Sequence, residues 1–394
     1  MTFFLNDCAV LCALGDNATA VRRGLLEEAK SPLTLSDACS PGRPLPLGQV
    51  AAALPDVSHL PLPQRSRNNQ VALAALAQIR PAVDAAIARY GAQRVGVVVG
   101  TSTSGIASAE KALREWHASG ALPALFHYGQ QEMGSVAGVL AQELGVCGPA
   151  YVHSSACSSS AKALASAARL IRMGLCDAVI TGGVDTLCEF TVAGFSALES
   201  VSVARCNPFS ANRGGINLGE GVALFLMSRE PSAVALCGWG ESSDGHHMSA
   251  PDPAGAGARI AIGEALARAG VKAAEIDYIN LHGTATLQND AMESHVVHAL
   301  FGDAVAASST KPFTGHTLGA AGAVEAALCW LAMQDDNDVG KLPPHLWDGV
   351  QDQALPVLNL TAPGARLGRR LRWAVSNSFA FGGSNAALVF GRME

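Results

Sequence analysis

The chain has 394 residues, 49% of them hydrophobic and 15% charged, and a formal net charge of −6. That length fits two ordinary domains or one large duplicated one, and the apolar share excludes a disordered chain. The acidic balance and the lack of a long basic run argue against a nucleic-acid partner, while 41 glycines beside 5% aromatics point to tight turns and close backbone packing.

Ten cysteines are scattered with no Cys-x-x-Cys pair, so a reducing, cytoplasmic setting is expected in place of disulfides. The stretch MTFFLNDCAVLCALG is apolar but contains Asp7 and has no basic segment before its apolar run, so no signal peptide is expected. No stretch reads as a membrane span.

In chain order, residues 2–14 read as a strand and 15–29 as a short helix. Pro32, Pro41, Pro44, Pro46, Pro55, Pro61 and Pro63 make residues 31–63 an irregular excursion. Asn68 or Asn69 is the expected cap of a helix running to Gly91, with Pro81 kinking or dividing it. RVGVVVG, ending at Gly100, reads as a strand buried on both faces that runs into the small-residue turn TSTSG. Helices follow from about Ser108 and across Met133 to Leu144, then a β-like run from Tyr151 to Ser155 and an alanine-rich helix stopping near Gly174. DAVIT and the segment from Val222 to Met227 give two more buried strands.

Beyond Ser228 the pattern begins again. Ala233 to Gly238 resembles the first strand, Ile276 to Leu281 with HGTAT resembles VGVVVG with TSTSG, and GHTLGAAGAVEAALCWL resembles SACSSSAKALASAARLI. Two α/β halves, 1–230 and 231–394, are expected, each a β-α alternation around a mostly parallel or mixed sheet.

Cys157 stands between the β-like run and the mouth of the alanine-rich helix, where unpaired N–H groups and the helix dipole favour thiolate over thiol. An isolated cysteine is ordinarily a small buried hydrophobe. Two histidines in glycine-rich settings, His282 in HGTATLQND and His316 in KPFTGHTLGAAG, turn the reading toward nucleophilic catalysis. His153, His246 and His247 show no zinc-site spacing, so no metal is expected. GGINLGEG precedes a strand rather than opening a helix, so no dinucleotide is expected either.

Five ordered pieces, SACSSSAKAL, NPFSANRGGINLGEG, HGTATLQNDAMES, KPFTGHTLGAAGAVE and NSFAFGGSNAALVF, resemble the β-ketoacyl-acyl-carrier-protein synthases of the thiolase superfamily, in their elongating Cys-His-His branch. The resemblance implies a duplicated five-layer αβαβα thiolase-like fold, usually dimeric. It implies decarboxylating Claisen condensation of an acyl group held on Cys157 with malonyl-acyl-carrier protein. In that scheme His282 and His316 donate to the malonyl thioester oxygen, Lys311 and Glu325 belong to the supporting polar network, and the backbone N–H groups of Cys157 and Phe381 form the oxyanion hole. Thr284 and Thr286 would hold the phosphopantetheine arm, and Ile106, Phe379 and Phe381 the acyl group. Arg65, Arg67 and Arg205 approximate basic residues that dock the acidic carrier. No cofactor is bound; the substrates ride on the phosphopantetheine of the carrier.

The chain departs from the family at Phe209-Ser210, at Arg213-Gly214-Gly215-Ile216 and at Ala380, where a glycine is usual. Together with its modest length, these suggest a dedicated pathway of the aryl polyene type, in which a catalytic synthase pairs with an inactive chain-length partner. The alternatives are a non-catalytic chain-length subunit, opposed by Cys157 beside both histidines, and thiolase-like acyl-CoA chemistry, opposed by the His316 motif and the absence of a second cysteine near the C-terminus.

Overall fold

The structure, a computed structural model, describes residues 2–393. Strand β1 (Phe3–Leu11) leads to helix α1 (Ala18–Arg23), whose first turn is closed by the Asn17 side chain accepting from the Ala20 N–H. The proline-rich excursion is more ordered than its composition implies, because β2 (Thr34–Ser36) and β3 (Leu45–Leu47) pair as an antiparallel hairpin. Leu45 and Leu47 are buried, and a two-stranded hairpin has open edges at which Pro46 need donate no ladder bond.

Helix α2 (Arg67–Tyr90) is capped by Ser66, not by Asn68 or Asn69: the Ser66 hydroxyl accepts from the Asn69 N–H at 3.2 Å, and both asparagines are buried in the first turn. Pro81 does not divide it. The ring lies on the exposed side, where water can bond the carbonyl it leaves free. Among the described residues α2 is the one helix long and apolar enough to cross a membrane, a property the sequence reading overlooked; Val71, Ala75, Leu76, Ile79 and Val83 on it are packed in the core.

The N-terminal half continues with β4 (Val95–Gly100), α3 (Ile106–Ser119), α4 (Ser135–Leu144), β5 (Ala150–His153), α5 (Ser159–Arg172), β6 (Ala178–Asp185), α6 (Glu189–Ala197) and β7 (Gly221–Ser228). The rest comprises β8 (Val234–Ser243), α7 (Ala256–Ala269), β9 (Tyr278–Asn280), α8 (Leu287–Phe301), β10 (Ala306–Ser308), α9 (Lys311–Thr314), α10 (Ala321–Ala332), β11 (Asn359–Leu360), β12 (Trp373–Ala380) and β13 (Ser384–Arg392).

Eleven strands hydrogen-bond in the order β11-β10-β9-β12-β13-β8-β1-β7-β6-β4-β5. Either side of the β8-β1 junction the pattern is the same. In β1-β7-β6 the neighbours are antiparallel and in β6-β4-β5 parallel; in β8-β13-β12 they are antiparallel and in β12-β9-β10 parallel. This is the duplicated α/β architecture read from the repeating motifs.

Three cores separate the layers. One, with Ala75, Leu76, Val97 and Leu140, lies between α2, α4 and the N-terminal strands; another, with Ala261, Ile262, Val296 and Val389, lies between α7, α8 and the C-terminal strands. Between the strand layers α5 and α10 share the third, lined by Ala161, Leu164, Val324 and Leu328. The small residues there let the helices touch: a Cβ on Gly322 would meet the Ala161 backbone N at 2.9 Å. Both helices begin at the same place, the junction of the two halves, and the candidate site lies at their mouths.

Candidate active site

Cys157 follows β5 and precedes α5, and its path is set by Ala156, which adopts a left-handed φ of 50°. Such a conformation costs a non-glycine residue on the order of 1–3 kcal/mol and persists only where the surroundings enforce it. Ser104, Phe209, Ala285 and Leu318, in nearby turns, share it, with φ between 47° and 63°. His282 follows β9, and His316 lies between α9 and α10.

The three side chains meet. His316 Nε2 lies 3.0 Å from Cys157 Sγ, and the two imidazole rings stand nearly perpendicular with centroids 5.4 Å apart. All three are buried, and their ligand atoms lie within 4.8 Å of one another. A soft cation could span that distance, but Lys311 Nζ, 3.4 Å from His282 Nδ1, opposes a positive ion. Behind the histidines, Lys311 Nζ donates to the His282 carbonyl and to Glu325 Oε1, both at 2.5 Å. Among the described residues the other Glu325 oxygen is buried without a partner, and the carboxyl is pushed up by burial against the pull of Lys311.

These surroundings assign protonation states. Burial, then the Lys311 charge, holds both imidazoles well below the usual histidine range, so each is neutral at pH 7. His282 Nδ1 faces the Lys311 donor, which leaves the proton on Nε2. Among the described residues His316 Nδ1 is buried without a partner, and Nε2 lies against the sulfur, with which it can exchange a proton. Cys157 differs from the expectation of a resting thiolate: burial pushes its thiol up to about 12, against the pull of Lys311 and of the neighbouring Phe381 backbone N–H. Helix α5 starts two residues later, and its dipole does not overcome burial of the thiol on all sides.

The pocket over Cys157 is lined by His282, His316, Thr284, Thr286, Phe379 and Phe381 among the residues expected there, and the Thr284 and Thr286 hydroxyls are 2.9 Å apart. Ile106 is not among its lining residues; it begins α3 and is half-buried. Phe195, Ser249, Pro251, Gln288 and Asn289 line the pocket unforeseen. Phe195 packs against Phe381 with ring centroids 5.4 Å apart. Glu293 also went unnoticed: it accepts from the backbone N–H groups of His282 and Gly283 at 2.8 and 2.7 Å, and burial pushes its carboxyl up to about 7. An acid eleven positions after His282 on an apolar helix was the available signal.

The arginines separate. Arg67 is bonded to the buried Glu220, Nη2 to Oε1 at 2.5 Å and Nε to Oε2 at 3.1 Å, so although its side chain is 42% exposed its charge is already matched, which weighs against the expected docking role. Arg65 donates through Nε to the Leu60 carbonyl, and Arg205 is exposed on the loop that follows Ser200 of the pocket.

Two family descriptions match the chain: β-ketoacyl synthase, N-terminal domain, over residues 63–233, and β-ketoacyl synthase, C-terminal domain, over residues 234–346. Nodulation protein E of Rhizobium meliloti (strain 1021) is 32% identical over 395 residues, 96% of each chain. The 3-oxoacyl-[acyl-carrier-protein] synthase 2 of Staphylococcus aureus (strain COL) is 31% identical over 77% of this chain and 76% of its own. Among solved structures, a chain of the complex between ketosynthase ApeO and its chain length factor ApeC from Xenorhabdus doucetiae superposes with a TM-score of 0.94 at 44% identity, covering 100% of this chain and 98% of that one. A chain of the ishigamide ketosynthase/chain length factor gives a TM-score of 0.87 at 25% identity over 100% of this chain and 99% of that one.

Proposed function

The chain belongs to the β-ketoacyl synthase family, and from that premise we propose that it condenses an acyl group held on Cys157 with malonyl-acyl-carrier protein to give β-ketoacyl-acyl-carrier protein. The observation that carries this reading is the 3.0 Å approach of His316 Nε2 to Cys157 Sγ with His282 beside it in one buried pocket.

In the first stage Cys157 attacks the acyl thioester of the carrier; the new C–S bond forms as the old one breaks, and the Cys157 proton ends on the departing thiol. Backbone N–H groups of Cys157 and Phe381 hold the tetrahedral oxyanion, a role supported by Phe381 lining the same pocket as Cys157. In the second stage the malonyl carboxylate leaves as CO₂ and its electron pair becomes an enolate. His282 and His316, both neutral, donate from Nε2 to the enolate oxygen. The carbanion attacks the acyl carbon, the C–S bond to Cys157 breaks, and the thiolate takes up a proton. Lys311 and Glu325 fix the His282 tautomer from behind. Thr284 and Thr286 bind the phosphopantetheine arm, and Phe379 and Phe381 shape the acyl end.

The carrier docks beside Arg65 and Arg205, and the enzyme works in the cytoplasm in a dedicated pathway, of aryl polyene type, with a chain-length-factor-like chain or a second copy as subunit partner. Division at residue 230 into a half bearing the thiol and a half bearing the histidines is supported by the strand order, which repeats on either side of the β8-β1 junction. A purely chain-length role is opposed by the presence of Cys157 with both histidines. The test is intact-mass spectrometry after incubation with a panel of acyl-carrier proteins: acyl mass on Cys157 supports the reading and reports the chain preferred, whereas acylation surviving in Cys157→Ala overturns it.

A further inference from the structure

At the end of β6, Asp185 is fully buried, and among the described residues no cation pairs with it. Six donors converge on its two oxygens. The Thr101 hydroxyl lies at 2.6 Å, the Ser102 backbone N–H at 2.8 Å and its hydroxyl at 2.6 Å, the Thr103 N–H at 2.9 Å and its hydroxyl at 2.8 Å, and the Gly319 N–H at 2.6 Å. Five come from the turn after β4, in the N-terminal half. The sixth comes from the turn that follows His316, in the C-terminal half.

Each turn contains a left-handed non-glycine residue, Ser104 with φ 47° and Leu318 with φ 50°. Neither conformation holds itself. The Ser104 N–H is bonded by the Thr101 hydroxyl, which Asp185 orients, and Leu318 is followed directly by the Gly319 N–H that Asp185 accepts. The Ser102 hydroxyl ties the turns together again, donating to Asp185 and accepting from Gly319 at 3.1 Å. Only glycine lets them approach so closely: a Cβ at residue 319 would meet Asp185 Oδ2 and the Ser102 N, each at 2.7 Å. The backbone of His316 is fixed from its other side, donating to the Asn217 carbonyl at 2.7 Å and accepting from the Gly219 N–H at 3.0 Å. The histidine therefore sits between two anchors, and Asp185 is the buried one that crosses from the other half.

We propose that Asp185 is a positioning residue for the condensation: its carboxylate clamps the turn after β4 to the turn after His316 and so keeps His316 Nε2 in contact with the Cys157 sulfur. This rests on the function proposed above. An asparagine there keeps the volume but replaces one acceptor with a donor, and because donors surround both oxygens, either amide orientation sets N–H against N–H.

The experiment compares malonyl-carrier decarboxylation with Cys157 acylation. Asp185→Asn should lower decarboxylation at least tenfold while acylation falls severalfold less. In a His316→Ala background the same substitution should add little, since a residue that acts through His316 has nothing left to act on. A protein damaged only in its fold would lose both steps together and add its loss to that of His316→Ala, and that outcome overturns the proposal. If Asp185→Asn does not fold, Ser102→Ala, which removes the hydroxyl shared by Asp185 and Gly319, carries the same comparison: an equal loss in both steps counts against the clamp, a selective loss of decarboxylation supports it. Acylation that does not depend on Cys157, or decarboxylation indifferent to His316→Ala, would instead defeat the underlying function and leave a separate signature.

Discussion

The turn after β4 and the turn after β9 occupy matching places in the two halves, and both are held by a buried carboxylate that accepts backbone N–H groups. In the N-terminal half the acid is Asp185, at the end of a strand, and the turn residues Thr101, Ser102 and Thr103 also point their hydroxyls at it. In the C-terminal half the acid is Glu293, on α8; from the turn it accepts the backbone N–H groups of His282 and Gly283, and from outside the turn the Asn377 and Asn289 side-chain amides. The first turn is thus saturated by its own side chains. In the second, the turn bonds its acid through backbone N–H groups and not through its own side chains, which leaves the His282 ring free to enter the pocket. Duplication supplies two equivalent corners, and the side chains at each decide whether it becomes a brace or a reactive group. The helix mouths diverge in the same way: α5 opens beside a thiol, and α10 opens after the turn that carries His316.

If the halves divide the chemistry in this way, removing the N-terminal contribution should abolish turnover. Cys157→Ala should form no acyl-enzyme and extend no chain, with intact-mass and product analysis as the readouts, and no other of the ten free cysteines should take the acyl group. The C-terminal contribution should fail more selectively. His282→Ala and His316→Ala are each expected to lower malonyl decarboxylation on the order of a hundredfold to a thousandfold, as for loss of one preorganised donor, with a smaller effect on acyl transfer. Cys157→Gln should do the reverse, blocking transfer while CO₂ release continues. Equal losses in both steps from a histidine variant would break the proposed division of labour.

Much of this corner was legible because its residues sit in contiguous motifs. Cys157, His282, His316, Lys311 and Glu325 could be named from sequence, and the structure brings them together. The expected state of the thiol was wrong because a helix mouth is a local feature, whereas burial depends on layers from both halves. Arg67 reads as an unpaired surface charge because its partner, Glu220, lies 153 positions away. Phe195, Ser249 and Pro251 enter the pocket from separate segments with no periodic pattern to mark them. The β2–β3 hairpin was hidden by its prolines, and Ser66 was passed over as a cap for the asparagines that follow it.

A second asymmetry is open to titration. His345, in the C-terminal half, is buried, accepts the Ser309 N–H on Nδ1 at 3.0 Å and donates from Nε2 to the Pro208 carbonyl at 3.0 Å. Burial moves it from the ordinary 6.5 down to about 4. Because the unfolded chain then binds the proton first, stability is full above pH 6.5 and is lost as pH falls toward 4. At pH 5 the loss from this group is about 2 kcal/mol relative to pH 7.5. His345→Gln offers an acceptor and a donor without a titrating proton, so urea midpoints of the two proteins should diverge in the variant's favour as pH drops; parallel midpoints would show that His345 does not titrate with folding.

The smallest expected effect concerns how the N-terminal half meets its carrier. A chain of net charge −6 must bind an acidic carrier through a local positive patch. Arg67 is bonded to Glu220, so Arg65 and Arg205 are the arginines left for that role from the sequence reading. Charge reversal at both should raise KM for carrier-bound substrate severalfold, the size expected of exposed charge pairs, and change KM for a pantetheine thioester without carrier much less. Added salt should weaken the unmodified enzyme with the same selectivity, since screening acts on exposed charges. Arg67→Glu should behave differently: it sets a carboxylate against the buried Glu220 and strips the side-chain cation from an acid that also holds the Val50 and Leu187 N–H groups. That variant should lose thermal stability and impair both substrates alike. If Arg65 and Arg205 reversal also impairs both alike, the docking role falls, and these arginines join Arg67 in supporting the half that carries the thiol.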